Sequence, residues 1–249
     1  MAAVSPVLNI SAYKFVTVSD AAELRDSVRS HARSLGLKGT VLIATEGINL
    51  FVAGAPPAVR RFVAWLQSDD RFTDLAVKES HSDALPFGKL IVKVKAEIIR
   101  MNQHGVQPQA QRAPAVLPQQ LKRWLDQGHD DAGRPVLMLD TRNAFEVEHG
   151  RFDGALHWQL TKFSDFPQAL LAHRAQLEGK TVVSYCTGGI RCEKAALWMQ
   201  DAGVANVLQL DGGILKYLEE TGGAHFDGSC FVFDARETLN AALKPAAEV

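Results

Sequence analysis

Two α/β domains in tandem are predicted by this sequence: an N-terminal α+β domain, then a domain built on a parallel sheet flanked by helices. Three observations predict it. The first hundred residues alternate β-rich runs with helical patterns in the order β-α-β-β-α-β, the ferredoxin-like arrangement. A stretch rich in proline and glutamine follows, with little periodicity. Beyond it, unbroken apolar runs each end on Asp or Cys, as expected of parallel strands buried on both faces.

The N-terminal elements follow in order. Val7 to Val18 is rich in β-formers, and Asp20 stands where a helix through Leu35 would be capped, with Gly36 as its stop. Thr40-Val41-Leu42-Ile43-Ala44 and Ile48-Asn49-Leu50-Phe51-Val52 are two strands separated by Thr45-Glu46-Gly47, a hairpin signal. Pro56 and Pro57 open a second helix with Val59, Phe62, Val63 and Leu66 on one face. Strand-like segments follow near Leu75–Lys78 and Leu90–Ile99. Met101 to Pro118 contains four of the chain's glutamines and several breakers, and reads as the connection.

In the second half, Leu117 to Gly128 reads as a short amphipathic helix. Pro135–Leu139 is an apolar run ending at Asp140, Thr181–Tyr185 one ending at Cys186, and Val207–Leu210 one ending at Asp211-Gly212-Gly213. Helical patterns lie between them, so the strands are parallel. Asp140, Cys186 and Asp211 therefore share the C-terminal edge of the sheet, where open α/β sheets place their sites.

Composition bounds the rest. The 249 residues carry a formal net charge of −1, which names no partner by itself. Residues 1–108 hold 13 Lys+Arg against 10 Asp+Glu, and residues 109–249 hold 14 against 18, so the halves differ in sign at +3 and −4. No apolar run is long enough for a membrane span. The start Met1-Ala2-Ala3-Val4-Ser5-Pro6 lacks the basic and apolar regions of a secretory leader. Three cysteines without C-x-x-C spacing argue against a disulfide scaffold or zinc site and fit a reducing cytoplasm. The eight histidines show no ligand spacing; His104, His149 and His157 read as surface or turn residues.

The chemistry concentrates in Cys186-Thr187-Gly188-Gly189-Ile190-Arg191. A strand ends on a cysteine, a glycine loop lets successive amides turn inward, and a helix begins. A sulfur at that entrance lies in a positive field that favours its thiolate. The loop is Cys-x4-Arg, one residue shorter than a tetrahedral phosphate needs, and suits a sulfur-borne group better than a phosphoryl group.

Three spaced motifs together resemble the rhodanese superfamily: Asp140-Thr141-Arg142 with Glu146, His149-Gly150 and Gly154-Ala155; the Cys186–Arg191 loop; and Asp211-Gly212-Gly213-Ile214. That resemblance implies a five-stranded parallel sheet over roughly 117–220. The longer stretch Tyr185 to Lys194 resembles the tRNA wobble-uridine hydroxylase family, as do Glu46-Gly47-Ile48-Asn49, Lys89 to Ile98, and Gly228 to Asp234. It implies a ferredoxin-like (acylphosphatase-like) domain over 1–104, a linker over 105–116, a rhodanese domain over 117–224 and a short tail over 225–249. It also implies a cytoplasmic enzyme that uses molecular oxygen to convert the wobble uridine of tRNA to 5-hydroxyuridine, with no further cofactor evident and no metal. The chain departs from many members in carrying only Cys230 where they have a cysteine-rich extension.

The residues expected to act are Cys186 and Arg191, with Thr187, Gly188, Gly189 and Ile190 as the loop. Arg191 either meets an anionic substrate or tethers the loop to a carboxylate. Asp140 and Arg142 are expected in support, Asp140 as a site residue or a strand-end cap, and Arg142 as an ion-pair partner of Glu146. Cys192 is read as packing rather than as a resolving thiol, since adjacent helical positions point about 100° apart. Cys230 is read as a packed thiol. Lys93 and Lys95 alternate with Val92 and Val94 and share a strand face; with Lys89 and Arg100 they either meet RNA phosphates or form a solvated face. The family resemblance favours RNA. A sulfurtransferase with Cys186 as carrier and a small sulfur donor or acceptor is the rival reading. A non-enzymatic RNA-binding module fits less well, because it needs no thiolate.

Overall fold

A computed structural model describes residues 6–103 and 105–246. His104 and the first five residues, on which the leader reading rests, lie outside the described residues. The chain forms two compact units. The first runs to Ile99 and also takes in Asp234–Arg236; the second holds Arg100–Phe233 and resumes at Glu237.

In the first unit, β1 (Val7–Phe15), α1 (Ala21–Ser34), β2 (Lys38–Ala44), β3 (Gly47–Gly54), α2 (Pro56–Gln67), β4 (Val77–Ser82) and β5 (Leu90–Val94) follow in chain order. The sheet order is β4-β1-β3-β2-β5. The first four are mutually antiparallel neighbours, as the ferredoxin-like pattern requires, and β5 joins the far edge parallel to β2. Leu24, Val28 and Ala32 recur at four-residue intervals on α1, and Val59, Phe62 and Leu66 on α2; both stripes are buried in one core with Leu8, Ile10, Val41, Ile43 and Leu50.

Two local expectations change. Asp20 occupies the N-cap of α1 but makes no capping hydrogen bond. Its carboxylate is taken by the Arg71 guanidinium, a charge-assisted contact that outcompetes a backbone amide. The last strand stops at Val94 instead of Ile99. The Lys95 amide still donates to the Ile43 carbonyl at 2.8 Å, but Ile98 is held by side chains instead. Glu46 Oε1 accepts its amide at 2.7 Å, and Asn49 Nδ2 donates to its carbonyl at 3.2 Å. The Glu46-Gly47-Ile48-Asn49 motif thus clamps a segment some fifty residues on, and a clamped segment leaves the ladder.

The second unit contains β6 (Ala115–Val116), α3 (Pro118–Gln127), β7 (Val136–Asp140), α4 (Ala144–Val147), β8 (Gly150–Phe152), β9 (Leu156–His157), α5 (Phe166–His173), β10 (Thr181–Tyr185), α6 (Ile190–Asp201), β11 (Val207–Leu210), α7 (Gly213–Thr221), β12 (Phe226–Gly228), β13 (Cys230–Phe231) and β14 (Thr238–Leu239). Five strands form a wholly parallel sheet in the order β6-β11-β10-β7-β9. All five residues of β10 are buried, as expected of a central parallel strand covered on both faces. Val183 and Tyr185 pack with Leu121 and Trp124 of α3 and with Ile214 and Tyr217 of α7. Ala115 and Val116, read as the end of the linker, instead pair with β11 as an edge strand. After α7, β12 pairs antiparallel with β8 in a separate two-stranded sheet. Among the described residues, no helix is long and apolar enough to cross a membrane.

Candidate active site

The C-terminal ends of β7 and β10 lie side by side, with Asp140 paired to Tyr185. Cys186 follows at once. Gly189 is the N-cap of α6 with φ +100°, a conformation that costs a residue with a Cβ. That turn aims the Gly189 amide at Cys186 Sγ, 3.2 Å away, and the Arg191 amide also donates to the sulfur. The sulfur therefore sits against the positive end of a twelve-residue helix.

The loop is held from three sides. The first amides of α7 take its carbonyls: Ile214 donates to Cys186 O at 2.9 Å and Leu215 to Thr187 O at 3.1 Å. Thr187 Oγ1 donates to the Phe231 carbonyl of β13 at 3.3 Å. Thr141 binds the Tyr185 carbonyl twice, through its amide at 3.0 Å and its hydroxyl at 2.9 Å.

Arg191 is a tether. Both its terminal nitrogens bond the Glu146 carboxylate, at 2.6 and 2.7 Å, and Glu146 is fully buried. Glu146 Oε2 also accepts the Asn143 amide at the start of α4. Burial works against the Arg191 charge, but the hydrogen bonds and charge of Glu146 more than offset it and raise its pKa. The expected Arg142–Glu146 ion pair is not formed. Arg142 turns back onto Asp140, its neighbour two residues away, with Nη2 at 2.6 Å and Nε at 2.9 Å, and both side chains are wholly buried. Its Nη2 also donates to the Gly150 carbonyl at 2.7 Å. The short Asp-x-Arg spacing closes locally, which frees Glu146 for the loop arginine 45 residues on. Asp140 also accepts the Arg142 amide at 3.0 Å, so it caps the strand end and anchors Arg142 together.

The three free thiols are all buried but differ in environment. Burial opposes ionisation of Cys186, yet the Cys192 thiol, the Arg191 charge and the two loop amides outweigh it and pull its pKa down to about 5. Burial and the adjoining Cys186 sulfur push Cys192 well above the ordinary thiol value. Burial pushes Cys230 up to about 12. Cys192 is fully buried, as its reading as a packing residue expects, and it also acts on the Cys186 sulfur. The 100° offset separates it from Arg191, its chain neighbour, and not from Cys186, which lies across the loop.

Other residues escaped the sequence reading. Phe145, Phe231 and Phe233 form an edge-to-face cluster with centroids 5.2–6.3 Å apart, and His149 lies against Phe231. Phe145 is 44% exposed and Phe233 49% exposed, although Phe231 carries the carbonyl that holds Thr187. The signal was present in Phe231-Val232-Phe233, but nothing in the sequence ties it to Thr187. Asp211 is occupied by Arg112 at 3.1 Å and Lys216 at 2.6 Å and is not aimed at the sulfur. Lys89, Lys93 and Lys95 are exposed in the first unit. Lys93 lies on β5 with Lys89 and Lys95 at its two ends, whereas Arg100 opens the second unit, exposed, with Nε on Asn102 Oδ1 at 2.9 Å. Among the described residues no cluster of three or more His, Cys, Asp or Glu could hold a metal ion.

Residues 7–98 match the family model described as the UPF0176 acylphosphatase like domain, and residues 117–220 match the Rhodanese-like domain. The chain is 62% identical over 233 residues to the tRNA uridine(34) hydroxylase of Variovorax paradoxus, covering 94% of this chain and 89% of that protein. The chain belongs to the tRNA uridine(34) hydroxylase family. A second relative of that name, from Bordetella avium, is 58% identical over 239 residues, which cover 96% of this chain and 99% of the relative. That relative has almost nothing outside the aligned stretch. A third, from Delftia acidovorans, is 59% identical over 239 residues, covering 96% of this chain and 91% of its own.

In this family member the Rhodanese-like match contains the cysteine loop, Glu146 and all but the last residue of α7, and ends before Cys230 and Phe231. One prediction concerns how α7 docks on the loop. Gly213 has φ +67°, and a Cβ there would lie 2.5 Å from the Cys186 carbonyl oxygen and 2.7 Å from the Gly189 nitrogen. Gly213→Ala is expected to lower stability by about 1–3 kcal/mol through strain and backbone collision. It is also expected to raise the Cys186 pKa by displacing the Gly189 amide. Urea unfolding and a thiolate titration of the variant check both effects.

Proposed function

We propose that this chain hydroxylates C5 of the wobble uridine of tRNA, with dioxygen as the oxidant and Cys186 as the reacting thiolate. The observation that carries the reading is a thiolate-stabilising cysteine loop in a chain 62% identical, over 94% of its length, to a protein named tRNA uridine(34) hydroxylase. The chemistry is consistent with a thiolate. Addition of sulfur to C6 of a uracil makes C5 electron-rich, and C5 is the atom that must take oxygen. The amides of Gly189 and Arg191 hold the sulfur anionic until it adds, and departure of the sulfur restores the ring. Arg191, held by Glu146, shapes the loop and supplies positive field, rather than gripping the substrate. Exposed Phe145 and Phe233 offer rings on which an unstacked base can lie. A tRNA substrate supports the reading of a cytoplasmic protein.

A sulfurtransferase is not favoured, because the relatives carry the hydroxylase name over nearly their whole length. The deciding experiment is nucleoside mass spectrometry of tRNA from a strain lacking this gene, complemented with the wild type or Cys186→Ser. The wild type alone is expected to restore 5-hydroxyuridine; restoration by both would remove Cys186 from the chemistry.

The tRNA backbone is proposed to meet Lys89, Lys93 and Lys95. Their exposure and the +3 balance of residues 1–108 support this, and Arg100 is assigned separately. Replacing Lys93 and Lys95 together by Ala is expected to weaken binding of all tRNAs alike. It should flatten the log–log salt slope by about 2, at roughly 0.7–0.9 per phosphate contact. Filter binding across a salt series measures it, and an unchanged slope removes this face from the binding site.

A further inference from the structure

Cys192 is a buried thiol that the chemistry above leaves unused. It sits on the first turn of α6, its amide bonded to the Gly189 carbonyl at 3.0 Å and its sulfur 3.6 Å from Thr141 Oγ1. Its thiol helps to stabilise the Cys186 thiolate. Thr141 is itself pinned to the Tyr185 carbonyl, the residue before Cys186, so one threonine fixes both thiols. Gly189 joins the two residues, its amide on the Cys186 sulfur at 3.2 Å and its carbonyl on the Cys192 amide at 3.0 Å, and both thiols are free and fully buried: a dithiol rather than a nucleophile with a packed neighbour.

Hydroxylation by dioxygen has an electron balance to close. Reducing both oxygen atoms to the level of an alcohol and water takes four electrons. Converting the uracil C5–H to C5–OH supplies two. A reductant must supply the other two, together with two protons. We propose that the Cys186–Cys192 dithiol is that reductant and that each turnover leaves the pair as a disulfide. The proposal rests on the hydroxylase reading.

The overall step is uridine, dioxygen and two thiols giving 5-hydroxyuridine, water and one disulfide. Cys186 adds to C6, and C5 takes up dioxygen as a hydroperoxide. With its negative charge spent on the C6 bond, Cys186 no longer opposes ionisation of Cys192. The Cys192 thiolate then attacks the outer oxygen, the O–O bond breaks, and a sulfenic acid forms on Cys192 while the hydroxyl stays on C5. Loss of the C5 proton expels Cys186 and restores the double bond. The freed Cys186 thiolate displaces the sulfenic oxygen as water, and the S–S bond closes. A low-molecular-weight thiol from solution re-reduces the disulfide before the next turnover. Cys230, on β13 and with its thiol held neutral by burial, stays outside the cycle.

The test is a single-turnover reaction of reduced full-length protein with unmodified tRNA in air, with no added thiol. The wild type is expected to form up to one 5-hydroxyuridine per chain and then stop. Its three titratable thiols should fall to one in step with product, and peptide mapping should find Cys186 joined to Cys192. Cys192→Ser keeps a hydrogen-bond donor beside Cys186 but cannot give electrons, and should lose at least about nine-tenths of that product. Product from the wild type with all three thiols still free would overturn the proposal. So would Cys192→Ser matching the wild type, while leaving the hydroxylase reading intact. No product from the wild type, with or without added thiol, would sink the hydroxylase reading and this proposal with it. Thiol counting on the wild type alone stays decisive if the variant does not fold.

Discussion

Glu146→Ala is expected to cost about 3–5 kcal/mol of stability, because it strands the buried Arg191 guanidinium without its carboxylate. For a domain of ordinary marginal stability that is a large share of the total. The same substitution removes the acceptor of the Asn143 amide at the start of α4. Arg191→Met, which removes the paired charge but keeps much of the apolar stem, leaves Glu146 with the Asn143 amide as a partner and should cost less. The double variant Glu146→Ala/Arg191→Met should be more stable than Glu146→Ala alone, since no unpaired guanidinium remains. Urea unfolding of the four proteins gives the coupling energy directly. A double variant no more stable than Glu146→Ala would mean that the pair does not act as a unit.

The second large effect is in the thiol titration. Ultraviolet thiolate absorbance of the wild type minus that of Cys186→Ser should titrate near pH 5, whereas an unperturbed cysteine titrates near 8.5. The sign for stability follows. The folded pKa of Cys186 lies below the unfolded one, so its contribution is fully present above about pH 8.5 and lost as the pH falls through about 5. Cys192 runs the other way: its raised folded pKa contributes below the unfolded value and loses effect as pH rises above it. Between pH 5 and 8 the wild type should therefore gain stability with pH relative to Cys186→Ser. Parallel pH profiles of the two proteins would show that the loop does not hold a thiolate.

Much of the architecture could be read from the sequence, for physical reasons specific to each element. β10 and β11 begin and end where their β-branched and apolar runs do, and the buried polar residues inside them are hydrogen-bonded, Ser184 Oγ to the Leu208 carbonyl and Gln209 Nε2 to the Ala113 carbonyl, each at 3.2 Å. Pro56 and Pro57 mark the start of α2 because a missing amide costs nothing in a first turn. The cysteine loop was legible because its glycines and arginine are close in sequence. Partner choice was not. Arg142, Arg191, Asp140 and Glu146 can pair in more than one way, and only the fold brings Glu146 to a residue 45 positions away. β5 was overextended because its continuation is held by Glu46 and Asn49 rather than by a strand, and alternation alone does not distinguish the two. The part played by β13 was hidden because its contact with Thr187 is made by a backbone carbonyl, which leaves no residue-type signature.

The return of Asp234–Arg236 to the first unit bears on how the molecule is made. The Ala235 amide donates to Pro86 O at 3.1 Å. Arg236, braced by Asp234 at 2.6 Å, donates to the Ser80 hydroxyl of edge strand β4 at 2.8 Å, a partner 156 residues distant in the chain. On the ribosome, every strand and helix of that unit emerges long before these three residues do. The unit can collapse early, but its β4 edge waits for a residue made 156 positions after Ser80. A gene fragment cut at Ile99 would encode all five strands and both helices and still lack this closing contact.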